Sequence, residues 1–271
     1  MSSVTPEPSG KLTVAFFKCD SLEKESIEKH GEYQDVLHNL FEPLLPEHLK
    51  LETLTYDVLE KREYPKDEEL DRIDAIVISG SFEDEAHSDT RWILKLAGYL
   101  IKIYDEHPRI RILGICFGLQ VIARAFGPSR IQQNPKGWEV GSTRVDLTDI
   151  GRKIIWHDGE GEHNMQQIHS DIVTEVPPDF ELLGKSEICP VQGIVAFYPE
   201  DRDPPAFTHS HAHTLPSHPE WHEDILIPFI DNYEKDGTFD AEFAEKARKQ
   251  SKAAHDGERV GRILLRVLGV A

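Results

Sequence analysis

The stretch RILGICFGLQVIARAFG, residues 111–127, sets a cysteine between two glycines, after a short apolar run and ahead of a helical one. The apolar run RILGI reads as a buried strand and GLQVIARAF as a helix closed by Gly127. A chain that turns sharply from strand to helix holds its apex residue in strained backbone geometry, and small neighbours relieve the crowding. Gly114 and Gly118 supply that room around Cys116. A thiol so placed stands at a helix N-terminus, which favours an anion. The backbone N–H of Phe117 is then available to bind an oxyanion. The competing reading is a packed strand–helix junction, with the cysteine acting as a small hydrophobe.

Outward from this turn the first half alternates strand and helix. KLTVAFFKC (11–19), LKLETLTYDV (49–58) and DAIVISGS (74–81) read as strands, the last ending at Gly80. Residues 21–45 have helical spacing at Ile27, Val36, Leu37, Leu40 and Phe41, with Ser21 as the expected N-cap. DTRWILKLAGYLIKIYDE (89–106) is an amphipathic helix with Asp89 as the expected cap. Such alternation predicts an α/β fold, a mostly parallel sheet with helices on both faces. Sites in such sheets lie outside the carboxyl ends of the strands, where Gly80 and Cys116 both fall. The second half reads as a smaller β element: strands at 139–148 and within 180–198, with DFELLGKS (179–186) as part of an edge hairpin. A proline-rich loop, YPEDRDPP (198–205), follows, and a helical stretch over 222–269 ends the chain. Residues 1–10 read as a flexible tail and 11–271 as one domain.

The formal net charge of −19 argues against non-specific binding to nucleic acid or an anionic membrane. No run of 18 apolar residues is present, and MSSVTPEPSGK lacks the apolar core of a secretory signal. Cys19, Cys116 and Cys189 are too few for a disulfide framework and suit a reducing, cytoplasmic setting; Cys19 and Cys189 are expected to pack.

A nucleophilic cysteine needs a base and a group that orients the base. LPSHPEWH (215–222) offers His218 and Glu220 two residues apart, which share a face on an extended segment. A surface turn is the alternative. His209, His211 and His213 form H-x-H-x-H, a weak candidate for a transition metal against a solvated strand or loop. His169 and Asp171 are expected either to line the pocket or to pair structurally, and FEDEAHSD (82–89) to form a solvated loop at the mouth of the site.

Together these residues resemble the class I, or triad, glutamine amidotransferase family. Its G-x-C-x-G-x-Q signature is met by Gly114, Cys116, Gly118 and Gln120, and its distant H-P-E by His218, Pro219 and Glu220. VISGSFEDE with Gly80 and Ser81 resembles the oxyanion loop. GWEVG (137–141) and IHSDIV (168–173) resemble the standalone, GMP-synthase-like branch, and HDGERVGRILLRVL (255–268) resembles the terminal helix of its fungal members. The resemblance implies a flavodoxin-like fold and a Cys116–His218–Glu220 triad. It further implies an oxyanion hole from Gly80 and Phe117, and substrate contacts from Gln120, Ser81 and His169. It implies hydrolysis of a γ-glutamyl amide through a thioester, with no cofactor. The branch includes free-standing γ-glutamyl peptidases, the favoured reading, beside glutaminases that donate ammonia to a separate synthetase. A non-catalytic metal-binding or regulatory protein on the same scaffold is the third reading.

Overall fold

The strand Lys11–Lys18 (β1) buries both of its faces. Leu12, Val14 and Phe16 join one apolar cluster while Ala15 and Phe17 join another, as a two-residue period in a doubly covered sheet requires. A computed structural model describes residues 10–82, 85–127, 131–155, 162–198, 210–215 and 217–270, with the backbone alone for 155 and 210–215. After β1 come α1 (Lys24–His30), α2 (Tyr33–Phe41), β2 (Lys50–Asp57), α3 (Asp67–Leu70), β3 (Ala75–Ile78), α4 (Arg91–Glu106), β4 (Arg111–Ile115) and α5 (Phe117–Phe126). The chain continues through β5 (Ile131–Gln133), β6 (Glu139–Leu147), α6 (Asp149–Ile155), β7 (Glu162–His169), β8 (Asp171–Val173), β9 (Glu181–Leu182), β10 (Gly184–Lys185), β11 (Ile194–Phe197) and β12 (Ser210–Leu215). It closes with α7 (Glu223–Lys235), α8 (Ala241–Ser251) and α9 (Gly257–Val267).

Among the described residues the main sheet has the order β2-β1-β3-β4-β12-β11-β9. Neighbours from β2 to β12 run parallel, and β11 and β9 add antiparallel pairings at one side. This is the flavodoxin-like, doubly wound arrangement expected from the alternation. One apolar cluster takes α2 and the C-terminal helices through Phe41, Phe229 and Leu264; the other takes α4 and α5 through Leu100 and Val121. Antiparallel β10-β6-β7 and β5-β8 form the smaller β element.

Several boundaries differ from the sequence expectation. The helix expected over 21–45 is two helices, because Gly31 adopts φ 81° and ends α1. A reciprocal cap between Glu32 and Asp35 then starts α2. Ser21 is not the cap of α1; Glu23 precedes it and makes no side-chain cap bond. Likewise α4 begins after Thr90, and Asp89 instead pairs with Arg124 of α5. Gly127 ends α5 in extended backbone, φ −167°, not in a left-handed cap. DFELLGKS splits between sheets: β9 joins the main sheet and β10 joins β6. The final helical stretch is three helices. Asp240 accepts from the N–H of Phe243 at 2.8 Å to start α8, and Asp256 is held to Asn164 of β7 by two 2.8 Å bonds before α9. The expected tail, apart from Gly10, and most of the proline-rich loop lie outside the described residues.

Candidate active site

Strand register brings the site together. Ile78 of β3 and Thr214 of β12 both stand opposite Gly114 of β4. The residues that follow each strand, Gly80, Cys116 and Ser217–His218, therefore leave the sheet along the same carboxyl edge. The approach is close. A Cβ on Gly80 would lie 3.0 Å from His218 Cε1, 3.5 Å from the Tyr33 hydroxyl and 3.6 Å from Cys116 Cβ.

Cys116 sits between β4 and α5 with φ 52° and ψ −107°, a left-handed conformation that non-glycine residues avoid. The two signature glycines make this turn possible. A Cβ on Gly114 would lie 2.6 Å from the Gly118 carbonyl oxygen, and one on Gly118 would lie 2.8 Å from that of Ile78. The Cys116 carbonyl accepts from the Leu119 N–H at 2.9 Å, so Phe117 begins the first turn of α5, where N–H groups have no intrahelical acceptor.

His218 is fully buried. Its Nδ1 lies 2.8 Å from Glu220 Oε1, a side chain only 2% exposed. The pair comes from a turn, not from the extended segment the spacing suggests: the Trp221 N–H bonds back to the His218 carbonyl at 3.3 Å. Full burial by itself disfavours the charged ring. The Glu220 carboxylate and then the Cys116 thiol outweigh that penalty and hold His218 at about 9. His218 Nε2 makes no hydrogen bond of full geometry, although Cys116 is near enough to act on the ring.

Two aromatic residues wall this group. Trp221 lies on the imidazole of His218, with ring centroids 3.8 Å apart and planes 19° from parallel. Tyr33 of α2 is buried, and its phenol is pushed well above the usual range by burial and then by Asp20, Cys116 and Glu220. Trp221 adjoins H-P-E and could have been marked from its neighbours. Tyr33 carries no local signal, because a helix far back in the chain brings it here.

Over Cys116 lies a cavity of about 220 Å³, lined among others by Ser81, Glu85, Gln120, His169, Asp171 and Tyr233. Ser81, Gln120 and His169 thus share one wall space with the thiol. Gln120 Nε2 donates to the Asp171 carbonyl at 3.1 Å, which fixes the amide toward the smaller β element. His169 Nδ1 lies 3.1 Å from the same carbonyl and its Nε2 lies 3.1 Å from Glu139 Oε2. Glu139 also accepts from Ser186 Oγ and, at 2.7 Å, from Gln192 Nε2. Burial, and then Glu85, push the Asp171 carboxyl upward, while His87 at 3.9 Å works against them. Glu85 and Asp171 thus set two carboxyl groups in the cavity lining.

Glu139, His169 and Cys189 come close enough together to suggest a metal, but the carboxylate is already occupied by Ser186 and Gln192. Burial, and then Glu139, push the Cys189 thiol up to about 12, which opposes ligation. His209 lies outside the described residues; His211 and His213 fall on β12 between β4 and β11. Cys19 packs in the core below β1.

Comparison with known proteins gives a consistent picture. The family model described as glutamine amidotransferase class-I matches residues 32–197, which include Cys116 but not His218. A glutamine amidotransferase-like protein of Schizosaccharomyces pombe is 33% identical over 249 residues, covering 90% of this chain and 94% of its own. γ-Glutamyl peptidase 3 of Arabidopsis thaliana is 31% identical over 196 residues, covering 71% of this chain and 72% of its own. Among solved structures, a glutamine amidotransferase of Thermotoga maritima superposes with a TM-score of 0.65 at 18% identity, over 95% of this chain and 98% of its own. The chain belongs to the class-I glutamine amidotransferase family.

Proposed function

We propose that this chain hydrolyses γ-glutamyl amide bonds by a Cys116–His218–Glu220 triad and acts as a γ-glutamyl peptidase. The carrying observation is the left-handed Cys116 at the head of α5, beside a buried imidazole held at 2.8 Å by Glu220. In the first half-reaction the Cys116 sulfur attacks the γ-carbonyl carbon while its proton resides on His218. The N–H groups of Gly80 and Phe117 take the oxyanion. His218 gives the proton to the departing amine as the C–N bond breaks, leaving a γ-glutamyl thioester. Water then attacks the thioester carbon, passes a proton to His218, and the thiol and glutamate are released. Glu220 holds the ring in one tautomer and offsets its charge in both halves.

The carboxyl groups in the cavity lining, Glu85 and Asp171, suit the α-ammonium of a glutamyl residue, with Gln120, Ser81 and His169 lining the same cavity. Likeness to the Arabidopsis γ-glutamyl peptidase supports a peptide substrate. Residues 11–271 would act as one catalytic domain. Three free, buried cysteines suit a reducing cytoplasm, and no helix among the described residues is long and apolar enough to cross a membrane. The decisive experiment scores glutamate release from glutamine, glutathione, glutathione S-conjugates and γ-glutamyl dipeptides. Release from the peptides by wild type and not by Cys116→Ala supports the proposal. Release from glutamine alone replaces it with an ammonia donor to a separate synthetase, and no release from any of them removes it.

A further inference from the structure

A second cavity, of about 250 Å³, has Glu220 in its lining, whereas the pocket over Cys116 does not. This second cavity is lined by His30, Glu220, Trp221, His222, His255 and Glu258, with a floor from α2. Its histidines come from separate elements. His30 is the last residue of α1, and His222 immediately precedes α7. The two helices are joined by the bond from Ser26 Oγ of α1 to the Ile225 carbonyl of α7 at 3.5 Å. The rings of His30 and His222 meet edge to face, with centroids 4.8 Å apart. Donor atoms of His30, His222 and Asp224 all lie within 4.8 Å of one another. His30 Nε2 is buried and makes no hydrogen bond, and neither does the buried Glu220 Oε2. A buried ring nitrogen and a buried carboxylate oxygen, both unpartnered at one cavity, are groups that a cation satisfies.

From this geometry we infer a divalent transition-metal site, of the kind Zn²⁺ fills, held by His30, His222 and Asp224 and controlling the triad. Two imidazoles and one carboxylate are the ligand types such an ion selects, and a fourth place remains for water. The net charge of −19 draws cations to the surface. The link to chemistry is short in sequence. His218, Glu220, Trp221 and His222 belong to one five-residue segment. A doubly charged ion at the His30–His222 edge of the cavity attracts the same carboxylate that holds His218 Nδ1, so filling the site weakens that hold and slows turnover. Metal binding does not depend on the proposed hydrolysis; the control of turnover does.

The test uses the full chain after chelator treatment, titrated with Zn²⁺ by calorimetry and with Co²⁺ by visible absorption. One tight equivalent is expected, with the d–d bands of a nitrogen–oxygen site and no thiolate charge-transfer band. His30→Gln/Asp224→Asn, and separately His222→Asn, should weaken that equivalent by about tenfold or more. Cys116→Ser, and the triple change His209→Gln/His211→Gln/His213→Gln, should leave it intact. Circular dichroism establishes that each variant is folded. Retention of the equivalent in both folded site variants overturns the site, as does its loss in Cys116→Ser or in the triple variant. With a substrate from the panel above, Zn²⁺ should slow wild type about tenfold and leave His30→Gln/Asp224→Asn unaffected. Equal rates with the site filled and empty overturn the control but not the site. If the panel yields no substrate, calorimetry and absorption still decide the site.

Discussion

Trp221 lies face to face with His218, their ring centroids 3.8 Å apart, and is itself backed by Phe229 at 5.3 Å in nearly parallel planes. The imidazole is thus clamped by a flat wall on its face and by Glu220 on its edge. An aromatic face also favours a cationic ring. Trp221→Leu removes the wall and should cut turnover on the order of 10²-fold, because small displacements of a reacting group are costly. The alkaline limb of the pH–rate profile should move down from about 9 only by the small share an aromatic face supplies, because Glu220 and Cys116 still hold the ring's charge. Trp221→Phe keeps a ring and should keep most of the activity. Equal profiles for the two variants would show that the stack positions nothing.

Cys116 pays a conformational cost of about 1–3 kcal/mol for its left-handed backbone. Glycine adopts that conformation freely. Cys116→Gly should therefore melt at or above the temperature of Cys116→Ala, reversing the usual order, while both lose turnover. Calorimetric melting of the two variants checks this.

Gly80 and Gly114 should respond differently to the same added methyl group. At Gly114 it meets backbone, 2.6 Å from Gly118, so Gly114→Ala should destabilise the fold by about 1–3 kcal/mol. At Gly80 it meets a side-chain atom and no backbone, the Cε1 of His218 at 3.0 Å. Gly80→Ala should keep most of the melting temperature and lose activity through a displaced imidazole. A Gly80→Ala variant with wild-type kcat would separate Gly80 from the site.

Two buried histidines set opposite pH limits. In His218 the folded value, about 9, exceeds the ordinary 6.5, so its contribution to stability is complete below 6.5 and lost as pH rises through about 9. In His163 burial, aided by Arg259 and opposed by Asp256, lowers the value to about 4. The neutral ring's contribution is complete above 6.5 and lost as pH falls through the window down to about 4. Glu220→Gln should abolish the alkaline loss, and His163→Gln should flatten the acid one. Urea unfolding across roughly pH 4 to 10 measures both.

Much of this protein is legible in order along the chain. The apolar runs of β1, β3 and β4 and the glycines around Cys116 are local patterns, and local patterns report burial period and backbone strain directly. So the parallel sheet, the turn at Cys116 and the G-x-C-x-G-x-Q and H-P-E signatures could be read without coordinates. Helix ends depart from the local pattern where backbone conformation or a long-range bond decides, as at Gly31 with φ 81°, at Asp89 paired with Arg124 and at Asp256 paired with Asn164. What only the tertiary structure decided is which distant residues meet. The register that sets Ile78 and Thr214 opposite Gly114 puts Gly80, Cys116 and His218 on one edge. The packing of α2 brings Tyr33 to the same place, and the meeting of α1 with α7 joins His30 to His222. Those contacts depend on strand alignment and helix packing summed over the whole core, and no short stretch of sequence carries that sum.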